Sequence, residues 1–212
     1  MKLSMWTYGE LETMRRRIGH PDMEFLLKRQ ERTNKARYDH SLRVAYYCNI
    51  IAQELDWNEP ERLRLMRAAL LHEIDPSADW KKTTRASAAL QARIGDQCPE
   101  AAAGILREWK LEELVHIDAV QQYQENLDGT GLPNSLCWNE ICQAARILRV
   151  ADSFDRMTRC RPEYGQSPLS EREALEELFR WSDMMYDAET VELFQAVIQR
   201  KLGEAAPSRE HK

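Results

Sequence analysis

The stretch RAALLHEIDPSADW, residues 67–80, decides how this chain is read. Its first half carries Ala68, Ala69 and His72, which with Leu65 just before it share one helical face, the spacing of an amphipathic helix. The run then meets the His72-Glu73 pair and halts at Asp75-Pro76, because proline cannot continue a helix. A helix that ends its buried face on an imidazole and a carboxylate either delivers metal ligands into a pocket or keeps the outline of such a site.

Working outward, the same helical period recurs on both sides. In DHSLRVAYYCNIIAQEL, residues 39–55, Val44, Cys48, Ile51 and Leu55 form a stripe, and one turn back it lands on His40. Asp39 or Ser41 reads as the cap of that helix. Pro60 opens the helix that leads to His72. Further helices are expected over 84–95, from Pro99 to about Trp109, and in LEELVHIDAVQQYQEN, where His116 lies mid-helix. LDGTGLPNSL, residues 127–136, is the clearest turn signal in the chain. NEICQAARILRVADSFDRMT follows as a long helix with Ile141, Ala145, Leu148, Asp152 and Asp155 on one stripe. Ser170 with Glu173 reads as a capping box, and a last helix covers roughly 188–202. No segment alternates with period two. The expectation is an all-α fold of about seven to nine helices. Residues 1–37 form an N-terminal helical arm for packing or homodimerisation, broken near Gly19-His20-Pro21; residues 38–202 form the domain; residues 203–212 form a flexible tail.

Composition narrows the class. With 43% hydrophobic and 31% charged residues, the chain reads as a soluble globule. A net charge of -5 argues against a nucleic-acid partner, since phosphate neutralisation needs an excess of Lys and Arg. No apolar stretch is long enough for a bilayer and no signal peptide is visible, so a cytoplasmic protein is expected. The five cysteines (Cys48, Cys98, Cys137, Cys142 and Cys160) include no C-x-x-C and read as reduced thiols, mostly in the core. Trp138, Phe179 and Trp181 read as core or interface aromatics.

Three polar residues fall on inward stripes of three different helices: His40, His72 and Asp152. Burying a carboxylate is costly unless a cation or hydrogen bonds compensate. Two imidazoles and a carboxylate from separate helices suit a divalent metal, and Glu73 can supply a fourth ligand at a helix end. The competing reading pairs Asp152 with an arginine such as Arg43 or Arg149.

HSLRV, ALLHEI, ENLDGTGLP and ARILRVADSFDRMTRCRP with the following SPLSEREALEEL stand in the order of the HD superfamily of metal-dependent phosphohydrolases. They most resemble its HD-GYP branch, whose active members hydrolyse cyclic di-GMP. The resemblance covers about residues 38–180. It implies a helical bundle and places the superfamily's metal ligands on His40, His72, Glu73 and Asp152, with Glu73 standing where the family has Asp. It implies one divalent ion, Mn²⁺, Fe²⁺, Zn²⁺ or Mg²⁺. Arg161 resembles an arginine near the substrate phosphates. The loop Asp128–Pro133, with Gly129 and Gly131, resembles one proposed to contact signalling partners.

The departures from that branch are chemical. Its His-His pair falls on Tyr123 and Gln124, ahead of Glu125. A further His falls on Cys98, a Lys on Pro76, a Glu on Ala36 and the Tyr of GYP on Leu132. A polynuclear centre needs bridging carboxylates and several imidazoles. The expectation is therefore a degenerate HD-GYP-like domain without cyclic di-GMP phosphodiesterase activity, acting as a signalling, ligand-sensing or protein-interaction module. No residue is assigned a catalytic role. The alternative is a single-metal phosphohydrolase acting on a nucleotide or small phosphoester.

Overall fold

The computed structural model describes residues 8–74, 99–159 and 167–204. Among these residues the fold is all helical: α1 (Tyr8–Ile18), α2 (Pro21–Thr33), α3 (Lys35–Glu54), α4 (Glu59–Leu71), α5 (Pro99–Glu108), α6 (Ile117–Gln122), α7 (Gln143–Thr158), α8 (Glu171–Arg180) and α9 (Ala188–Glu204). The expected helix over 84–95 lies outside the described residues, as do Cys98, Cys160 and Arg161.

Helix α3 is the central element. It buries Leu42, Val44, Ala45, Cys48, Ile51 and Ala52, and packs most extensively on α4 and then on α7. A helix apolar on so many sides belongs in the middle of a bundle. It starts earlier than the sequence suggests. Asn34 caps it, its side-chain oxygen accepting from the Arg37 N–H at 3.0 Å, so Asp39 and Ser41 lie inside the helix. Buried Ser41 instead accepts from Gln30 Nε2 at 3.2 Å. Asn58 caps α4 and Pro60 sits in its first turn.

The two N-terminal helices pack on this centre through Ile18, Met23, Leu26 and Leu27. Arg67 Nε of α4 donates to the Ile18 carbonyl at 2.8 Å, capping the end of α1. Helix α7 crosses α3 and brings Phe154 against Tyr47 and Phe194, edge to face, at centroid separations of 5.2 and 4.9 Å. Such contacts add to the burial of large rings.

Two helices are shorter than their periodicity suggests. The segment from Leu111 to His116 is turn, and His116 precedes α6 rather than lying within it. Its Nε2 meets Glu61 at 2.9 Å, tying this turn to α4. Cys142 occupies the cap position of α7, so Ile141 lies before the helix. Cys48 is buried and Cys137 exposed. Trp138, Phe179 and Trp181 are exposed, not core, so aromatic character there does not report burial. The Ser170–Glu173 capping box forms as read, with the Ser170 N–H donating to Glu173 at 2.8 Å.

Candidate metal centre

The end of α4 sets the geometry. His72 is the C-cap residue and keeps helical backbone angles, with Glu73 next after it at the helix end. His40 comes from α3 and Asp152 from α7. One ligand atom from each of His40, His72, Glu73 and Asp152 lies within 4.8 Å of all the others, and all four residues are buried.

The inner atoms are closer still. Asp152 Oδ1 is 3.0 Å from His40 Nε2 and 3.3 Å from His72 Nε2. Glu73 Oε2 is 3.7 Å from His40 Nε2. Ligands at bond lengths of about 2.1 Å are separated by roughly 3 to 3.6 Å, close to these three spacings, so the group could hold a single divalent ion.

The outer nitrogens fix how the imidazoles present themselves. His72 Nδ1 donates to the Ala69 carbonyl at 2.7 Å, and a carbonyl can only accept. His40 Nδ1 lies 2.7 Å from Asp155 Oδ2. His72 Nε2 thus faces the cluster, whereas both nitrogens of His40 meet carboxylates, Nδ1 that of Asp155 and Nε2 that of Asp152. Asp155 is held in turn by Arg43, whose Nε and Nη2 donate at 2.6 and 2.8 Å. The sequence placed Asp155 on the buried stripe without giving it a role. Its position one turn after Asp152 was the available signal.

The arginine that meets Asp152 is neither Arg43 nor Arg149. Arg149 donates to Asn126. Arg156, one turn beyond Asp152 on α7, donates from Nε to Asp152 Oδ2 at 2.6 Å and from Nη2 to Glu73 Oε1 at 2.5 Å. An i,i+4 Asp–Arg pair is a readable helix signal; its bridge to Glu73, 83 positions away, is not.

These contacts decide the charge states. Burial disfavours the Glu73 carboxylate, but His40, His72 and Arg156 outweigh it and hold its pKa down to about 2. Asp152 is likewise held well below the usual range, burial being overcome by Arg156 and the two imidazoles. Burial opposes charge on His40, yet Glu73, Asp152 and Asp155 together raise its pKa. The cluster is acidic, buried and compensated.

Tyr123 closes the other side. Its ring stands edge-on to His72 at 5.0 Å, and its hydroxyl accepts from Gln124 Nε2 at 3.0 Å. Burial, then Asp152 and Glu73, raise its pKa, so the phenol stays protonated. Glu125 is buried and serves the next loop, accepting from the N–H groups of Asn134 and Leu136 at 2.7 and 3.1 Å. Within that loop Asp128 Oδ1 accepts from the Thr130 N–H at 3.0 Å and Gly129 has φ +79°. Asp128, Gly129 and Gly131 shape this turn and lie outside the four-residue cluster.

The fold and the site define an HD-type helical domain. A model of the HD domain matches residues 22–190, and the chain belongs to this family. It is similar to a 3'3'-cGAMP-specific phosphodiesterase of Vibrio cholerae, with 29% identity over 153 residues, covering 65% of this chain and 30% of that protein. It is also similar to a cyclic di-GMP phosphodiesterase of Thermotoga maritima, with 28% identity over 176 residues, covering 81% of this chain and 47% of the relative. The chain thus spans less than half of either relative. An HDG"Y"P protein from Bdellovibrio bacteriovorus shares the fold with a TM-score of 0.58 at 19% identity, covering 79% of this chain and 54% of that one. No helix among the described residues is long and apolar enough to cross a membrane.

Proposed function

We propose that the chain is a one-metal HD-GYP-type domain that does not hydrolyse cyclic di-GMP and serves as a signalling, ligand-sensing or protein-interaction module. The observation that carries this reading is Tyr123. Its buried ring lies against His72 where the branch places an imidazole, and a protonated phenol is no substitute for a neutral histidine. Gln124 is spent on the Tyr123 hydroxyl. The relatives named above act on cyclic dinucleotides, which makes a nucleotide the first ligand class to test. The Asp128–Pro133 loop is the proposed partner contact. Its Leu132 and the nearby Trp138 are 65% and 55% exposed, apolar surface that a signalling protein could cover.

The convergence of His40, His72, Glu73 and Asp152 within 4.8 Å favours a second reading, a single-metal phosphohydrolase for a nucleotide or small phosphoester. When bound, such an ion supplies Lewis acidity and a more acidic water.

One experiment separates them. Protein supplied with Mn²⁺, Fe²⁺, Zn²⁺ or Mg²⁺ is incubated with cyclic di-GMP, 3'3'-cGAMP and a phosphoester panel, with Asp152→Ala as control. The expected result is no linearised dinucleotide. Linearisation lost in the control overturns the leading reading. Control-sensitive hydrolysis of another phosphoester replaces it with the second.

A further inference from the structure

Arg156 reaches both carboxylates of the cluster from one guanidinium edge, Nε to Asp152 Oδ2 and Nη2 to Glu73 Oε1. We propose that Arg156 is a built-in counter-cation that competes with a divalent ion for the Glu73–Asp152 pair, giving the site two exclusive states, guanidinium-in and metal-in. This rests on the one-metal reading of the cluster.

Glu73, Asp152 and Asp155 are all buried carboxylates. Arg43 is committed to Asp155 through two hydrogen bonds. Among the described residues, Glu73 and Asp152 meet the two imidazoles and Arg156. Buried carboxylates side by side demand a cation, and the chain itself provides one.

Two roles for Arg156 oppose each other. It holds the outer oxygens, Oδ2 and Oε1, while Asp152 Oδ1 and Glu73 Oε2 face His40. Such bracing orders ligands and strengthens binding by about 10- to 100-fold. Against this, an ion on the inner oxygens would lie roughly 5 Å from the guanidinium. Repulsion between charges of +1 and +2 at that separation exceeds the bracing gain even at an effective dielectric of about 20. Charge wins, so metal entry requires Arg156 to leave. Its side chain is the most exposed of the three groups. It is 20% exposed, while the Glu73 and Asp152 side chains are 0% and 3% exposed, so it forms the outer wall of the cluster.

The test is Mn²⁺ and Zn²⁺ binding by calorimetry to wild type, Arg156→Gln and Arg156→Lys, each confirmed folded by circular dichroism. Gln keeps a donor and loses the charge; Lys keeps the charge. Arg156→Gln is expected to bind at least about tenfold more tightly than wild type, with Arg156→Lys close to wild type. Equal or weaker binding by Arg156→Gln while wild type binds overturns the competition and leaves the one-metal reading intact. Failure of wild type and Arg156→Gln alike to bind either ion overturns both. Should Arg156→Gln not fold, wild type answers alone. Modification of Arg156 by an arginine-specific dicarbonyl, followed by mass spectrometry, is expected to accelerate severalfold on metal addition. Unchanged or slower modification in metal-saturated protein overturns the proposal.

Discussion

Asp155 Oδ2 lies 2.7 Å from His40 Nδ1 across 115 positions of sequence, and this contact aims the opposite nitrogen of His40 at Asp152. It also joins Arg43 to the site, since one carboxylate serves both partners. Asp155→Asn keeps the shape and removes the charge. The expected cost is roughly 2–4 kcal/mol, below that of a fully buried pair because the Arg43 side chain retains 17% exposure. Metal affinity is expected to fall about 10- to 100-fold, as for other groups that orient ligands. Urea denaturation and metal titration check both, and a variant matching wild type in each would show Asp155 to be dispensable.

Phe154 packs edge to face with Tyr47 and Phe194 directly beneath the α7 residues that serve the site. Phe154→Ala is expected to lose about 3–5 kcal/mol, through lost transfer energy and the cavity left behind. Thermal or chemical unfolding measures it. A loss under about 1 kcal/mol would mean that the three-ring contact is loosely packed.

At Gly131 a Cβ would fall 2.1 Å from the Asn126 nitrogen and 2.4 Å from Glu125 Cα, both backbone atoms that cannot turn aside. Gly131→Ala is therefore expected to displace the loop from the anchor that Glu125 provides. The readouts are a lowered Tm and altered emission from Trp138 in a variant whose other tryptophans are replaced. An unchanged Tm would show that the loop tolerates a side chain there.

Asp187 offers a pH signature away from the cluster. Its carboxylate accepts from the Thr190 N–H at 2.9 Å and from Arg146 Nη1 at 2.6 Å, linking α9 to α7. Burial raises its pKa, but these partners prevail and leave it lowered from 3.8. A carboxyl with a lower pKa folded than unfolded stabilises the fold fully above the unfolded value and loses that stabilisation as pH falls through the folded value. The stability gap between wild type and Asp187→Asn is thus expected to be constant above about pH 5 and to shrink below about pH 4. A gap that stays flat down to pH 2 would remove Asp187 from the acid response.

The helices were legible because period and caps are local. The stripe of Val44, Cys48 and Ile51, the Pro60 start of α4 and the Ser170–Glu173 box each rest on residues within one or two turns. The structure departs from that reading where a tertiary contact overrides the period and where an earlier local cap starts a helix. Leu111 to His116 stays turn while His116 meets Glu61, and Asn34 displaces Asp39 and Ser41 as the cap. The candidate ligands His40, His72, Glu73 and Asp152 were readable because polar residues on apolar faces stand out, and the structure brings these four together. Sequence alone therefore determined most of the helices and that His40, His72 and Asp152 turn inward. The partners of those residues were decided only by the fold. Arg156 reaching Glu73 and Asp155 reaching His40 span 83 and 115 positions. Contacts between charged groups depend on where helices cross, and no local periodicity encodes a crossing.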